Sequence, residues 1–538
     1  MQDLWYKNAI VYSLNVETFM DSDGDGVGDF QGLAQQLDYL AGLGVNCLWL
    51  LPFYPSPNRD HGYDVMDYYS IDPRLGTLGD FVDFIQRAKE KGIRVLVDLV
   101  VNHTSIEHPW FQAARRDKHS KYRDYYVWSD NPPPFDPQEL VFPDVEDSIW
   151  AYDEQAEAYY LHHFYKEQPD LNISNPAVQD EIRKIMGFWL QLGVSGFRAD
   201  AVPYLLKNVG VEAEHDVLGN FLTKMRQFLS ERRSDAVLLA EANVDPDLSP
   251  VYFGNRDRMH LLFNFFLNKK MFLALARQEG APVIDALKAL PNIPQHCEWL
   301  NFARHHDELN LDLIDDSERE EIFAAFAPEE NMRIYGRGIR RRLPPMLEGD
   351  QRRIRLTYSL LFSLPGIPLL RYGDEIGMGD DLSLEGRFSV RTPMQWSAES
   401  NGGFSTAVAE VLPHPVIDQG CYGYNQINVA DQQREPNSLL NWINRLIRVR
   451  QQCPELGWGQ WHHLETDEPQ VLAHYCKWEG KTILVIHNLA DQACILTAKD
   501  FPPGKLMELF ADQPYEVLPK APTSIFLDAY GYRWFRLG

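Results

Sequence analysis

The sequence predicts an α/β protein built on a (β/α)8 barrel, with a small domain inserted after the third strand and a C-terminal antiparallel β-sandwich. Continuous apolar runs, typical of strands buried on both faces, alternate with stretches of helical periodicity. A long irregular segment interrupts that alternation, and short strands and turns replace it from about residue 465. Alternating strands and helices predict a parallel sheet with right-handed crossovers.

The first three strands of the predicted barrel lie before the irregular segment. Residues 9–16, 45–51 and 93–103 are the strand candidates, and the third has polar residues at its C-terminal end. Residues 31–43 and 81–91 carry apolar side chains at helical spacing, so they are predicted to connect these strands as helices.

Five more strands complete the predicted set of eight, which is the number in a (β/α)8, or TIM, barrel. A helix is predicted at residues 176–192, directly before the fourth strand. The remaining strand candidates are residues 196–201, 236–241, 261–266, 299–307 and 367–375.

The domain boundaries follow from where the alternation stops. Residues 1–103 and 171–460 are predicted to form the barrel, and residues 465–538 the C-terminal β-sandwich. Residues 104–170 are too long for a strand-to-helix loop and are predicted to form an inserted domain. Residues 308–350 contain an acidic helix and an arginine cluster, and we interpret them as a second, lid-like insertion.

Composition narrows the class of function. Lys and Arg number 51 against 77 Asp and Glu, and the resulting net charge of −26 disfavours a nucleic-acid partner. Neither a signal peptide nor an apolar stretch long enough to span a bilayer is visible, so we expect a cytoplasmic protein without a membrane partner. The 6 cysteines lack metal-ligand spacing and are expected to be free thiols. No organic cofactor is expected, and a homo-oligomer is compatible with the sequence.

Aspartates alternate with glycines in a short segment after the first strand. Residues 21–29 read Asp-Ser-Asp-Gly-Asp-Gly-Val-Gly-Asp, a pattern that turns several oxygens toward one hard cation. We therefore expect a structural Ca²⁺, with a solvated acidic turn as the alternative. The segment is not an EF-hand, because its twelfth position is Gly32 rather than glutamate. The predicted ligand set is Asp21, Asp23, Asp25, Val27 and Asp29.

The fourth predicted strand ends in an arginine and a carboxylate. Residues 196–201 read Gly-Phe-Arg-Ala-Asp-Ala, and alternate residues of a strand share a face, so Arg198 and Asp200 are expected to point the same way. The arginine is expected to hold the carboxylate ionised, as a glycosidase nucleophile requires. A structural salt bridge at a strand end is an equally good interpretation of this hexapeptide alone.

Polar residues also end other predicted strands, and in a barrel of this kind the chemistry lies at the C-terminal ends of the strands. Three carboxylates and two imidazoles are therefore predicted to converge on one mouth. The carboxylates are Asp200 on strand four, Glu241 on strand five and Asp307 on strand seven, and the imidazoles are His103 on strand three and His306 on strand seven. The other polar residues at these ends are Asp98 and Asn102 on strand three, Arg198 on strand four, and Tyr63 and Asp64 after strand two.

These motifs resemble the four signature regions of the α-amylase family of retaining glycoside hydrolases (family 13). They are Asp98-Leu-Val-Val-Asn-His, Gly196-Phe-Arg-Ala-Asp, Glu241 and His306-Asp. Residues 168–172, Gln-Pro-Asp-Leu-Asn, resemble the fifth region of that family. Residues 103–111, 372–380 and 391–396 are similar to the corresponding segments of its trehalose synthase (maltose α-D-glucosyltransferase) branch.

The resemblance implies a role for each matching residue. Asp200 matches the nucleophile, Glu241 the general acid/base and Asp307 the transition-state stabiliser. The nearby charges of Asp200 and Asp307 are expected to raise the pKa of Glu241. The residues that match sugar-binding positions are Tyr63, Asp64, His103, Gln168, Arg198, His306 and Arg391.

The implied activity is intramolecular transfer of glucose that isomerises maltose to trehalose through a covalent glucosyl-enzyme on Asp200. Residues 308–350 would then form the lid that excludes water. An α-glucosidase or amylase-type hydrolase, or a glucosyltransferase with another acceptor, is the alternative, and such an enzyme would have a more open acceptor side. A binding scaffold without catalysis is a further alternative, although all three carboxylates are present.

Four departures from the family pattern lie at His305, Lys207, Arg371 and residues 382–390. His305, Arg371 and the loop are expected near the acceptor side, where they bear on the substrate and product rather than on the reaction class. Relatives carry an acidic residue near the position of Lys207, and the resemblance would place a second calcium site there, with Asn102 and Asp170. A lysine could supply that positive charge itself.

Overall fold

The computed structural model describes residues 4–209, 215–497, 501–518 and 524–538. Eight parallel strands close into a barrel in the order β1-β8-β7-β6-β5-β4-β3-β2, which confirms the predicted fold class. The strands are β1 (Val11–Leu14), β2 (Cys47–Leu50), β3 (Arg94–Leu99), β4 (Gly196–Ala199), β5 (Val237–Ala240), β6 (Leu261–Phe263), β7 (Glu298–Phe302) and β8 (Ile367–Arg371).

Each strand is shorter than its apolar run predicts, because the polar residues after it turn out of the sheet at the barrel mouth. Asp200, Glu241 and Asp307 all follow the last residue of a strand rather than lying within it. The interior below them is filled by side chains such as Trp49, Phe263 and Leu300, each at most 3% exposed. The barrel is therefore a packed core that supports the site from beneath.

Helices surround the barrel. The predicted helix 176–192 is present as Pro176–Leu192, with Asn175 capping its first turn and Gly193 ending it in the left-handed conformation. The predicted helix 31–43 is broken at Gln36 into two. The α-helices are Phe30–Gln35, Leu37–Leu43, Leu78–Glu90, Pro109–Arg116, Pro176–Leu192, His215–Arg232, Ser249–Phe253, Phe265–Arg277, Ala281–Ala289, Asp316–Phe326, Leu343–Met346, Gln351–Ser363, Val429–Arg434, Leu439–Gln451 and Glu455–Trp458.

Two segments at the barrel mouth contain small sheets of their own. Between β3 and Pro176–Leu192, a three-stranded antiparallel sheet is formed by Trp128–Ser129, Ala158–Leu161 and Trp150–Asp153. Between β7 and β8, three two-residue strands form a second sheet: Leu309–Asn310, Gly338–Ile339 and Arg333–Ile334.

The two segments meet over the barrel mouth in one aromatic cluster. Tyr335 packs on Phe142 with 4.8 Å between ring centroids, and its hydroxyl lies 3.1 Å from that of Tyr165. Arg337 donates a hydrogen bond of 2.6 Å to the backbone oxygen of Val141. The segment from the β7 side therefore touches the inserted segment across the mouth of the barrel.

The C-terminal region is all antiparallel. Its larger sheet has the order β9-β10-β11-β15-β13, and β12 pairs with β14 in a separate sheet. Leu484 of the first sheet and Ile525 of the second share one buried cluster, so the two sheets pack face to face. These strands are β9 (Gln460–His463), β10 (Val471–Trp478), β11 (Lys481–Asn488), β12 (Cys494–Thr497), β13 (Leu506–Ala511), β14 (Ser524–Leu527) and β15 (Tyr532–Leu537).

Within the described residues, no helix combines the length and the apolar character needed to cross a membrane.

Candidate active site

One guanidinium lies at the centre of the site. Arg198 is only 2% exposed, and its Nη1 lies 2.6 Å from an oxygen of Asp98 and 2.5 Å from an oxygen of Asp200. Its Nη2 lies 2.8 Å from Oε2 of Glu241. Asp98 is the β3 partner of Arg198 on β4, so strand register places the first contact directly. Arg198 and Asp200 point the same way, as predicted.

The pKa of Asp200 moves in the opposite direction to the one that its arginine neighbour alone would impose. Burial raises this pKa from its ordinary value to about 6, because the desolvation penalty outweighs the opposing attraction of Arg198. The arginine therefore limits the rise rather than lowering the pKa. At pH 7 the ionised form still outnumbers the protonated form by roughly ten to one, as a nucleophile requires.

The pKa of Glu241 is raised to about 7, which confirms the predicted direction. Burial is the largest cause; Arg198 opposes it, and Asp200 and Asp307 add to it. The sequence argument named only the two neighbouring charges. The backbone N–H of Ala201 donates to Oε2 of Glu241 over 3.1 Å and helps to orient it. A carboxyl group with a pKa near neutrality is suited to give and take a proton.

Asp307 is held by two arginines at one oxygen and by a histidine at the other. Arg391 contacts its Oδ1 at 2.7 Å and Arg387 contacts the same oxygen at 3.0 Å, while Nε2 of His306 lies 3.2 Å from Oδ2. Although burial alone would raise it, Arg387, His306 and Arg391 hold the pKa of Asp307 well below its usual range. Asp307 therefore stays anionic while the pKa of Glu241 lies near neutrality.

Tyr63 and His306 form a stacked pair against this cluster. Their rings are 7° from parallel with 5.5 Å between centroids, and the Tyr63 hydroxyl lies 2.8 Å from Nε2 of His306. Nη1 of Arg198 donates to the same hydroxyl at 3.3 Å. Strands β4 and β7 and the loop after β2 are thereby joined beside Asp200.

His103 and Gln168 lie on the side of the inserted segment. His103 is 1% exposed, its ring packs on Phe164, and its Nε2 has no hydrogen-bond partner among the described residues. Burial lowers the pKa of His103 to about 4, so its imidazole is neutral. Gln168 donates to Asp60 at 3.1 Å. A neutral, unpaired imidazole nitrogen is suited to a sugar hydroxyl.

The structure does not bring Asp64 to the carboxylate cluster. It is fully buried, and its oxygens accept from the hydroxyl of Ser56 at 2.7 Å and from the backbone of Arg59 at 3.2 Å. Its carboxylate holds its own loop together, so its predicted role as a sugar ligand is not supported by its position. Asp60 is the acid of this loop that lies close enough to Arg391 and Arg387 to feel their charges.

Asp60 and Arg387 are site residues that sequence reasoning missed. Burial raises the pKa of Asp60 to about 6, against the attraction of Arg391 and Arg387. Arg387 also contacts Glu308 at 2.7 Å, and its guanidinium lies over the ring of Tyr335. Arg387 belongs to the segment 382–390 that departs from the family pattern, so that departure was the available signal. For Asp60 the signal was a second carboxylate beside Tyr63.

Protein groups contact Asp170, one of the residues to which the resemblance would assign a second calcium. Asp170 accepts from Nδ2 of Asn102 at 2.9 Å, and Nδ1 of His163 lies 2.5 Å from its other oxygen. An imidazole therefore serves as a hydrogen-bond partner of this carboxylate. The side chain of Lys207 lies outside the part of the chain that the structure describes.

The acidic loop after β1 has a geometry that fits a hard cation. One carboxylate oxygen each of Asp21, Asp23 and Asp25 lie within 4.8 Å of one another. Asp29 instead caps the helix Phe30–Gln35 by accepting from the backbone of Gly32 at 2.7 Å. The backbone N–H of Val27 donates to Asp25 at 2.8 Å, which closes the loop.

A cavity of about 890 Å³ opens beside Glu241 and Asp307, within the ~300–1,000 Å³ typical of small-molecule sites. His305 lines it, whereas Arg371 lies behind His305 and donates to its backbone oxygen at 3.2 Å. The segment 308–350 supplies one wall of this cavity. The residues of that wall are Glu308, Asn310, Asp312, Leu313, Asp316, Arg319 and Arg337.

Comparisons with known proteins agree with this geometry. A family model described as the α-amylase catalytic domain matches residues 14–459, and one described as the maltogenic amylase C-terminal domain matches residues 462–534. Together they account for the barrel and for the antiparallel C-terminal region.

Individual relatives match over nearly the whole chain. The trehalose synthase of Pimelobacter sp. (strain R48) is 41% identical over 99% of this chain and 96% of its own length. The trehalose synthase/amylase of Mycobacterium tuberculosis (strain CDC 1551 / Oshkosh) is 40% identical over 99% of this chain and 90% of its own length. Among solved structures, trehalulose synthase MutB from Pseudomonas mesoacidophila MX-45 has a TM-score of 0.80 at 25% identity and covers 99% of each chain. A variant of MutB has been solved in complex with glucose.

Proposed function

The chain belongs to the α-amylase family of glycoside hydrolases, and from that premise we propose that it isomerises maltose to trehalose through a covalent glucosyl-enzyme on Asp200. Relatives named trehalose synthase match it along its full length, and it is a trehalose synthase-like, isomerising transglucosylase. The observation that carries the proposal is the contact of one guanidinium, Arg198, with both Asp200 and Glu241. Two carboxyl groups with separate roles are what a retaining mechanism needs.

In the first half of the reaction, Glu241 donates its proton to the oxygen between the two glucose units. Asp200 attacks the anomeric carbon, the bond to that oxygen breaks, and one free glucose remains in the pocket beside the glucosyl-enzyme. Positive charge develops on the anomeric carbon, and the carboxylate of Asp307, kept ionised by Arg387 and Arg391, stabilises it.

In the second half, the free glucose turns and presents its own anomeric hydroxyl to the bound sugar. Glu241, now ionised, takes the proton of that hydroxyl, whose oxygen attacks the anomeric carbon and displaces Asp200. Two inversions leave the transferred glucose in its original configuration. The product is a disaccharide joined through both anomeric carbons, and Glu241 is protonated again for the next cycle.

Isomerisation requires that water lose the competition with the retained glucose. The contact of Tyr335 with Phe142 and of Arg337 with Val141 spans the pocket mouth and supports segment 308–350 as the lid. The guanidinium of Arg387 lies over the rings of Phe142 and Tyr335 while contacting Asp307. Arg387 thereby links the closed mouth to the position of the Asp307 carboxylate.

The proposal is tested by incubating the protein with maltose and following the anomeric region of the proton NMR spectrum. Trehalose forming faster than glucose is the expected result, and an Asp200→Asn variant should form neither. Glucose without trehalose would overturn the isomerase and leave a hydrolase. Transfer to a different added acceptor in preference to the retained glucose would identify a glucosyltransferase instead.

We also propose that the acidic loop binds a structural Ca²⁺. The donor set fits: three carboxylates converge within 4.8 Å, and oxygen donors of this kind suit calcium. The ion would tie the segment after β1 to residue Ser405, whose hydroxyl donates to Asp21 at 2.5 Å. Treatment with EGTA should lower the midpoint temperature of unfolding, and Ca²⁺ but not Mg²⁺ should restore it. If EGTA left the midpoint temperature unchanged in the wild type, as in Asp25→Asn, a bound ion would be contradicted.

We also propose a cytoplasmic location and self-association. All 6 cysteines are free thiols, which suits a reducing compartment. Fractionation of the source cells tests the first proposal, and light scattering of the purified protein tests the second.

A further inference from the structure

Two histidines and a glutamate come together outside the carboxylate cluster. Glu17 belongs to the short helix Val16–Thr18 after β1, His61 to the loop after β2, and His414 to the long connection after β8. We propose that these three residues form a binding site for one divalent transition-metal ion, with Zn²⁺ as the ion that suits it best. Such a site would join three separate segments of the barrel mouth.

The separations between the three groups are those of a ligand set. One donor atom from each residue lies within 4.8 Å of the others, and Nε2 of His414 lies 3.7 Å from Oε1 of Glu17. In a tetrahedral zinc site with bonds of about 2.0–2.2 Å, neighbouring donors are about 3.4 Å apart. The His61 and His414 rings are stacked at 22° with 5.0 Å between centroids. To share one ion, both rings would turn a nitrogen toward Glu17.

The second observation is the state of the imidazole nitrogens. His61 is only 2% exposed, yet neither of its ring nitrogens has a hydrogen-bond partner among the described residues. Nε2 of His414 is also buried without one. Buried polar atoms normally have a partner, so two neighbouring imidazoles with unpaired nitrogens indicate a ligand. The side chain of His414 is 11% exposed, which leaves a route of entry.

The protonation states of His61 and Glu17 suit a metal. Burial, together with the charges of Arg391 and His414, holds the pKa of His61 well below its usual value, so its ring is neutral and its nitrogens can donate to an ion. Burial opposes ionisation of Glu17, but His414 and Arg74 lower its pKa to about 2. Glu17 is therefore anionic at any pH where the protein would be assayed.

Arg74 is the competing cation. Its Nη1 lies 2.8 Å from Oε1 of Glu17, while its Nη2 lies 2.7 Å from Asp72. Arg74 therefore keeps an anionic partner when Glu17 turns toward an ion. The other oxygen of Glu17 accepts only a 3.3 Å bond from Asn58. One carboxylate and two imidazoles make a borderline donor set that favours zinc over calcium or magnesium, which prefer oxygen.

The site is coupled to Asp307 through one aromatic ring. Phe388 packs on His61 with 4.3 Å between centroids and on His414 with 5.6 Å. Phe388 directly follows Arg387 and lies three residues before Arg391, the two arginines that contact Asp307. An ion that turns His61 away from Phe388 would therefore shift both arginines and lower turnover.

The test uses the full-length protein saturated with Ca²⁺ and freed of other metals. Equilibrium dialysis against Zn²⁺ followed by metal analysis should find one zinc per chain, and Co²⁺ should give the visible absorption of a tetrahedral site. His414→Ala should lower the zinc affinity by more than about tenfold. His463→Ala is the matched control, because His463 also has a buried, unpaired Nε2 but lies in the C-terminal region.

The outcomes separate cleanly. Loss of zinc and of the cobalt spectrum in His414→Ala and in Glu17→Gln, with both retained in His463→Ala, supports the site. Unchanged midpoint temperatures of unfolding in metal-free buffer would show that the variants are folded. Equal zinc binding by wild type and His414→Ala would overturn the proposal. So would equal inhibition of maltose turnover by Zn²⁺ in those two proteins.

Discussion

Replacing Glu241 by glutamine isolates the proton that the mechanism assigns to this residue. In the active form Asp200 is ionised and Glu241 is protonated, with pKa values of about 6 and about 7. Activity should fall below about pH 6 because Asp200 takes up a proton, and above about pH 7 because Glu241 loses one. The profile of kcat/KM is therefore expected to be a bell with its maximum near pH 6.5.

The magnitudes follow from the two pKa values. At pH 8.5 only about 3% of the enzyme carries the proton on Glu241, which predicts a roughly twentyfold loss of kcat/KM from the maximum. Glu241→Gln should lower kcat on maltose by about 10²–10⁴-fold, the usual contribution of a general acid. With α-glucosyl fluoride, whose leaving group needs no proton, formation of the glucosyl-enzyme should survive.

The assay is fluoride release from α-glucosyl fluoride, measured in the first turnover over a series of pH values. With this substrate the acid limb of Asp200 should stay in both the wild type and Glu241→Gln, and neither protein should show an alkaline limb. Asp200→Asn measures the background. An alkaline limb in Glu241→Gln would refute the assignment, because another group would then be titrating. A wild-type profile of kcat/KM on maltose without a fall above about pH 7 would refute it as well.

Three further predictions concern stability and product. Asp200→Asn should raise the free energy of unfolding at pH 8 by up to ~3 kcal/mol, since a folded pKa of about 6 means that the fold disfavours the charged form of Asp200. Thermal unfolding should show this gain shrinking as the pH falls from about 6 to 4, and a gain that grows instead would contradict the prediction. Tyr335→Ala should raise the glucose share of the products by opening the mouth, whereas the exposed Tyr152→Ala should not; equal shares would refute the lid. His163→Ala should cost about 1–3 kcal/mol by removing one hydrogen-bond partner of the buried Asp170, and Ca²⁺ should restore part of it; unchanged unfolding would refute this.

Much of the fold could be predicted because apolar runs and helix-capping residues, which are local sequence patterns, indicate the strands and helices. The apolar runs at 45–51 and 93–103 lie at β2 and β3, since strands covered on both faces need continuous apolar sequence. Helix Pro176–Leu192 begins and ends at its predicted residues because a capping asparagine and a glycine stand at its ends. The break at Gln36 was not predicted, because apolar spacing continues through it.

The candidate site was predicted unevenly. Asp200, Glu241 and Asp307 lie together because each follows a barrel strand, and strand ends meet at one mouth. Asp64 and Asp60 share one loop, and only the folded path of that loop decides which carboxylate faces Arg391. The contact of His163 with Asp170 was not predicted, because sequence spacing does not relate the two residues.

The sequence by itself determined the barrel, the order of its strands and the chemical groups at their ends, because these depend on periodicity and on the position of each residue relative to a strand. Only the tertiary structure decided the electrostatic balance. The pKa values of Asp200 and Glu241 rise chiefly through burial, and that of Asp307 falls because Arg387 and Arg391 reach it from a distant loop. Desolvation and long-range ion pairs depend on distances in space, which residue order does not contain.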